Sequence, residues 1–126
     1  VGLDLTRRDL QAAAKAKGLP WDVAKGFDAS APTGELVPAD AIGELAPRRL
    51  SLRVNGELRQ SATLDQLIWD VPEILHELSK LFALRAGDLV FMGTPAGVAA
   101  LQPGDTCEAT LDDVLALHCR ITPASL

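Results

Sequence analysis

The sequence predicts an α+β fold rich in short strands. Three observations carry this. Leu50, Leu52 and Val54 alternate with Ser51 and Arg53 and run into Asn55-Gly56, a pair suited to a type I′ turn because both central residues need positive φ. A second pair of strand-like runs, Thr106 to Leu111 and Val114 to Ile121, flanks Asp112-Asp113. The helical stretches between these runs are few and do not alternate with strands in the regular way a doubly wound parallel sheet requires.

Taken in order, Val1 to Leu5 reads as the end of a buried strand. Thr6 is expected to cap a helix over Arg7 to Lys17, with Asp9 at the third position, where the helix dipole favours a carboxylate. Four alanines within it favour helix, Gly18 suits the position just past its end, and Pro20 blocks continuation. Gly26 to Pro47 reads as loop with one short strand near Leu36 and Val37. Glu57 to Gln60 is the return strand of the Asn55-Gly56 hairpin. Thr63-Leu64-Asp65-Gln66 and Asp70-Val71-Pro72-Glu73 both look like helix starts, the second opening an amphipathic helix with Ile74, Leu75, Leu78, Leu81 and Phe82 on one face. Gly87 to Met92 is expected as a buried strand with Asp88 at its mouth, and Gln102-Pro103-Gly104-Asp105 as a turn.

The bulk numbers narrow the function classes. A chain of 126 residues is about one domain, here 1–126. A formal net charge of -5 and no basic cluster longer than Arg7-Arg8 or Arg48-Arg49 argue against nucleic acid as a partner. No apolar run approaches the roughly 20 residues that cross a bilayer, so no membrane partner is expected. Cys107 and Cys119 fall on neighbouring strands and read as a reduced pair in a cytoplasmic protein. The chain starts with Val1 inside a strand-like run, and a fragment of a longer protein is the expectation.

Six positions have the chemistry of a site, each with a plainer reading beside it. Asp4, at the end of an apolar lead-in, is placed to hold a hard cation or to act as a turn acid. Arg8 and Gln11 share a helix face, either as a cation and an amide turned to a ligand or as a solvated surface. Lys25, within Val23-Ala24-Lys25-Gly26-Phe27, is either a desolvated cation facing developing negative charge or a surface lysine. Gly93-Thr94-Pro95-Ala96-Gly97 is either a loop that brings Gly93 backbone and the Thr94 hydroxyl to a ligand or simply a good turn. His76 and His118 have no second ligand at metal spacing and read as structural; His118, Cys119 and Cys107 lack the fourth ligand of a zinc site.

Asp4-Leu5-Thr6-Arg7-Arg8-Asp9-Leu10-Gln11, the Pro20-Trp21 and Lys25-Gly26-Phe27-Asp28 segments, Val54-Asn55-Gly56-Glu57-Leu58-Arg59-Gln60, Leu84-Arg85-Ala86-Gly87-Asp88 and Gly93-Thr94-Pro95-Ala96-Gly97 occur in an order that resembles the C-terminal part of the fumarylacetoacetate hydrolase family. Within it the likeness is to the acylpyruvate hydrolases, including those acting on fumarylpyruvate. The resemblance implies a mixed, β-rich α+β core, usually a homodimer, and Mg²⁺ or Mn²⁺ as cofactor. It implies Asp4 as a metal ligand and Lys25, Arg8 and Gln11 as catalytic groups. Thr94 and Gly93 would bind a keto-acid substrate. Asp9, as a first-turn acid, reads as structural and as a salt-bridge partner. It implies cleavage of a carbon–carbon bond in an acylpyruvate; oxaloacetate decarboxylation, or isomerisation and tautomerisation of ring-cleavage products, is the alternative on the same site.

The family also holds its metal with a Glu-x-Glu pair and a later Asp, and activates water with a histidine–glutamate pair upstream. Glu35, Glu44, Glu57, Glu73, Glu77 and Glu108 form no Glu-x-Glu. The expectation is that these groups belong to an N-terminal portion outside this sequence. The present residues alone would then show no metal-dependent activity and would resemble an inert interaction module.

Overall fold

The Asn55-Gly56 turn organises the sheet. The two residues have φ of 52° and 83°, the left-handed pair that a type I′ turn needs. In the computed structural model, which describes residues 1–123, the turn joins β1 (Arg49–Val54) to β2 (Glu57–Thr63). β3 (Thr106–Leu111) pairs with the other edge of β1, and β4 (Leu115–Arg120) with β3, so the antiparallel order is β2-β1-β3-β4. Leu52 faces Gln60 but Arg53 faces Leu58. Arg59 is therefore the extra residue of a β-bulge, which bends β2 locally.

Alternation along β3 puts Cys107, Ala109 and Leu111 on the buried face. The core is small: Leu3, Val54, Cys107 and Ala109, with Val1, Leu52, Leu117 and Ile121 packed around it. Polar stitches hold the ends of the sheet. Asn55 Nδ2 donates to Asp105 at 2.8 Å, and the Thr106 N–H donates to Asn55 Oδ1 at 2.9 Å. The Asp105 carboxyl sits below its ordinary pKa because the Gln102 N–H and then Asn55 bond its charged form. At the other end Asp112, with φ of 46°, accepts from the Arg49 N–H at 2.9 Å and pairs with Arg48 at 3.3 Å.

Val1 to Leu5 is extended but not part of the sheet. It pairs with the 30–34 segment through Leu3 N–H to Pro32 O, Leu5 N–H to Ser30 O and Gly34 N–H to Val1 O, with one bridge between Gly2 and Thr33. This pairing ends at residue 34, so the strand expected near Leu36 and Val37 has no partner and does not form. A helical turn, α3 (Ala39–Ile42), follows instead. Helix α1 (Arg8–Ala16) matches the expected span to within a residue at each end. Its N-cap is Arg7 with no side-chain bond, not Thr6, whose hydroxyl is engaged elsewhere. A short helix, α2 (Asp22–Lys25), follows.

Helix α4 (Val71–Ser79) opens with the expected capping box: the Glu73 N–H donates to Asp70 at 2.8 Å, and the Asp70 N–H to Glu73 at 2.9 Å. It stops at Ser79, so Leu81 and Phe82 lie beyond it and are exposed. Thr63 to Gln66 makes only a 3-10 turn over Leu64–Gln66. Gly87 to Met92 forms no strand, because neither sheet edge, β2 or β4, pairs with it. Leu89 and Phe91 are exposed. The Phe91 ring packs on Gly2 so closely that a Cβ there would meet it at 3.0 Å.

Candidate active site

A cleft of about 510 Å³ opens between the Gly2–Asp9 segment, strands β1 and β2, and the 91–101 segment. Its walls are mainly apolar: Leu3, Leu5, Phe27, Leu52, Phe91 and Val98. Asp4, Thr6, Arg8, Asp9, Arg59, Gln60 and Thr94 bring polar groups to it. An apolar cavity with a few convergent polar groups is the usual form of a small-molecule site.

Backbone pairing sets the first group of residues. The backbone N–H groups of Leu3 and Leu5 bond to the 30–34 segment and hold this stretch extended, and Leu3, Asp4 and Leu5 all line the cleft. The Arg7 N–H donates to Ala24 O at 3.0 Å. That bond stitches α2 to the start of α1, with Ala24 fully buried between them. Lys25, the last residue of α2, is thereby carried to Asp4. Its Nζ lies 2.5 Å from Asp4 Oδ1 and donates to Thr6 Oγ1 at 3.0 Å. The Arg7 guanidinium covers the Phe27 ring at 4.4 Å from its centroid, which fixes that wall of the cleft.

The second group comes from β2 and the Gly93–Gly97 loop. Gln60 Nε2 donates to Thr94 Oγ1 at 2.8 Å and to Pro95 O at 2.7 Å. Gly97 has φ of 102° and lies against the bulge; a Cβ there would collide with the Arg59 carbonyl oxygen. The bulged residue and the glycine are thus matched, and the loop lies flat on β2.

Of the residues singled out in the sequence, Asp4, Arg8, Gly93 and Thr94 line the cleft, and Lys25 reaches it through Asp4. Gln11 is half-buried one turn along α1 and is not among the lining residues. Lys25 lies between the two readings of the sequence: its side chain is 34% exposed and is paired with a carboxylate. Asp9 makes no ion pair among the described residues and lines the cleft instead. His76 on α4 and His118 on β4 are exposed and lie outside the cleft. Cys107 and Cys119 face each other across β3 and β4 as free thiols.

A divalent ion such as Mg²⁺ needs about six oxygen ligands. Among the described residues no three His, Cys, Asp or Glu side chains are grouped to hold a metal. Asp4, with 53% of its side chain exposed, offers one carboxylate toward such a site and no more. These residues therefore fit a metal centre only as one corner of it.

The sequence matches the family model described as Fumarylacetoacetate (FAA) hydrolase C-terminal over residues 1–122. The chain belongs to this family. Fumarylpyruvate hydrolase of Ralstonia sp is 39% identical over 123 residues, covering 98% of this chain and 64% of the relative. The mitochondrial oxaloacetate tautomerase FAHD1 of Rattus norvegicus is 42% identical over 119 residues, 94% of this chain and 54% of the relative. A crystal structure of fumarylpyruvate hydrolase from Pseudomonas aeruginosa, in complex with Mn²⁺ and pyruvate, superposes with a TM-score of 0.89 at 46% identity. It is covered over 53% of its length by 98% of this chain. The chain thus spans about half the length of most of these fumarylacetoacetate hydrolase relatives, and the β-rich α+β fold is theirs over that span. No helix of the described residues is long and apolar enough to cross a membrane.

Gln60, Arg59 and Phe91 were not singled out as site residues. Phe91 falls within the Gly87–Met92 run that the sequence suggests as a strand. Gln60 and Arg59 sit in a polar hairpin arm whose contact with residues 94–97 is 34 or more positions away, and no local spacing signals it.

Proposed function

We propose that this chain is the C-terminal part of a Mg²⁺- or Mn²⁺-dependent hydrolase that cleaves an acylpyruvate, such as fumarylpyruvate, to a carboxylic acid and pyruvate. The observation that supports this best is the meeting of the Asp4–Lys25 pair and the Thr94 hydroxyl on one apolar-walled cleft. That arrangement suits a small dicarbonyl acid with charge at one end. The Mn²⁺ and pyruvate held by the 46%-identical hydrolase support the same reading.

When bound, the ion would supply Lewis-acid polarisation of two substrate oxygens. Asp4 would be one of its ligands; the remaining oxygens, and the group that activates water, would come from outside these residues. In the reaction, water adds to the carbonyl carbon distal to the carboxylate. The bond between that carbon and the methylene breaks, and its electron pair passes to the enolate of pyruvate, which takes up a proton at carbon. Lys25 and Arg8 would offset the negative charge that builds on oxygen, and Gln11 would act only if it turns toward the cleft. Thr94, with the Gly93 backbone beside it, would bind the substrate carboxylate. Phe27, Phe91 and the leucines would keep water from the enolate.

A second reading, oxaloacetate tautomerisation or decarboxylation, is favoured by the 42%-identical tautomerase. The intact protein loaded with Mn²⁺ separates the two. Pyruvate and fumarate released in equal amounts from fumarylpyruvate support the hydrolase. Enol–keto exchange of oxaloacetate with no pyruvate supports the tautomerase, and CO₂ with pyruvate from oxaloacetate supports the decarboxylase. The homodimer inferred from the family resemblance is likewise a proposal, tested by light scattering of the intact protein.

A further inference from the structure

We propose that Gln60 is a positioning residue that orients the Thr94 hydroxyl as a hydrogen-bond donor to an anionic substrate oxygen; this rests on the keto-acid reading above. The argument starts at Pro95. Its carbonyl oxygen only accepts, and it lies 2.7 Å from the terminal group of Gln60. Gln60 must therefore present its NH₂ there, because the amide oxygen would face another acceptor. The same nitrogen lies 2.8 Å from Thr94 Oγ1. Both of its protons are then committed, and Thr94 Oγ1 is an acceptor in this bond. The Thr94 proton is left free to donate, and Thr94 lines the cleft. A hydroxyl with one of its two lone pairs already taken by the protein and its proton unclaimed favours a carboxylate or enolate oxygen over a donor group of a ligand.

The rest of the loop is built to keep this geometry. The β-bulge at Arg59 and the absence of a Cβ at Gly97 let the 94–97 backbone rest directly on β2. Gln60, the residue after the bulge, faces the loop at its two polar groups. Gln60 is half-buried; its bond to Pro95 O is partly shielded, while its bond to Thr94 faces solvent at the cleft. Gln60 borders the cleft, but its NH₂ is committed to the loop, so the role assigned to it runs through Thr94.

The test is a double-mutant cycle in the intact, Mn²⁺-loaded protein, reading KM for fumarylpyruvate and Kd for pyruvate, with thermolysin cleavage within Phe91–Leu101 as a readout that needs no activity. Gln60→Met should raise KM and Kd roughly 10-fold, with kcat changed less, and should speed cleavage several-fold. Thr94→Val should raise KM by a similar factor. The double variant should be no worse than Thr94→Val, because the two residues act as one unit. Factors that multiply, or a Gln60→Met variant with wild-type KM, Kd and cleavage, would overturn the proposal.

If Gln60→Met does not fold, Gln60→Glu replaces it. Its KM should approach the wild-type value at acid pH, where a protonated carboxyl still donates to Thr94, and rise as that carboxyl ionises; a flat profile counts against the proposal. If the wild type turns over no keto acid and binds no pyruvate, yet Gln60→Met opens the loop to thermolysin, the tether stands and the keto-acid reading fails. If the wild type is active and Gln60→Met is indistinguishable from it, the reading stands and the positioning role fails.

Discussion

Lys25 Nζ lies 2.5 Å from the Asp4 carboxylate and 3.0 Å from Thr6 Oγ1, so one ammonium joins the entry of α1 to the end of α2. The two residues are 21 positions apart, and the bond between the Arg7 N–H and Ala24 O is what brings them together. A pair with this much exposure adds only about 0–1 kcal/mol to stability. Its place on the cleft points to a role in binding charge rather than in holding the fold.

Lys25→Met should therefore separate activity from stability. Turnover of the acylpyruvate by the Mn²⁺-loaded intact protein should fall on the order of 100-fold or more, as for loss of a group facing developing negative charge. The Tm should move by no more than a few degrees. Steady-state kinetics and a thermal melt on the same preparation check both, and a large fall in Tm with proportionate loss of activity would assign Lys25 to the fold instead.

Gly97→Ala should do the reverse. The added methyl would collide with the Arg59 carbonyl and would sit at φ of 102°, so the loop has to lift from β2. A loss of about 1–3 kcal/mol is expected in urea denaturation, together with faster cleavage of the 91–101 segment. Wild-type stability would mean that the loop does not rest on the bulge.

The two thiols should differ sharply in reactivity. Burial first, and then the neighbouring Cys119, raises the Cys107 thiol to about 11. A raised value means the folded state holds the proton more tightly than the unfolded state does. The resulting contribution to stability is complete below about 9, the ordinary value, and is lost as pH rises from there through about 11. At neutral pH, iodoacetamide should modify the half-buried Cys119 first and leave Cys107 until the chain unfolds. Mass mapping of the alkylated peptides reads this, and equal labelling of both would contradict it.

What the sequence made legible was local chemistry. The Asn55-Gly56 turn, the hairpin around Asp112 and the Asp70/Glu73 capping box depend on residues at most a few positions apart, and each is present. The strands expected at Leu36–Val37 and Gly87–Met92 looked apolar enough, but a strand needs a partner edge, and none is supplied to them among the described residues. Thr6 looked like an N-cap because its spacing to α1 suits one; a lysine from α2 engages its hydroxyl instead. In the site, Asp4, Lys25 and Thr94 were visible because they sit in a family-like order of motifs. Gln60 also sits in one of those segments, but nothing in the segment shows that its amide bonds Thr94 and Pro95, 34 and 35 positions away.

The central claim is that Asp4 is the carboxylate through which this half of the molecule holds a divalent ion. Mn²⁺ titration of the intact protein by electron paramagnetic resonance, wild type beside Asp4→Asn, tests it most directly, since asparagine keeps the shape and removes the charge. The account predicts about one tightly bound Mn²⁺ per chain in the wild type, with tight binding and Mn²⁺-dependent release of pyruvate both lost in Asp4→Asn. An Asp4→Asn protein that binds Mn²⁺ as tightly as the wild type would contradict it.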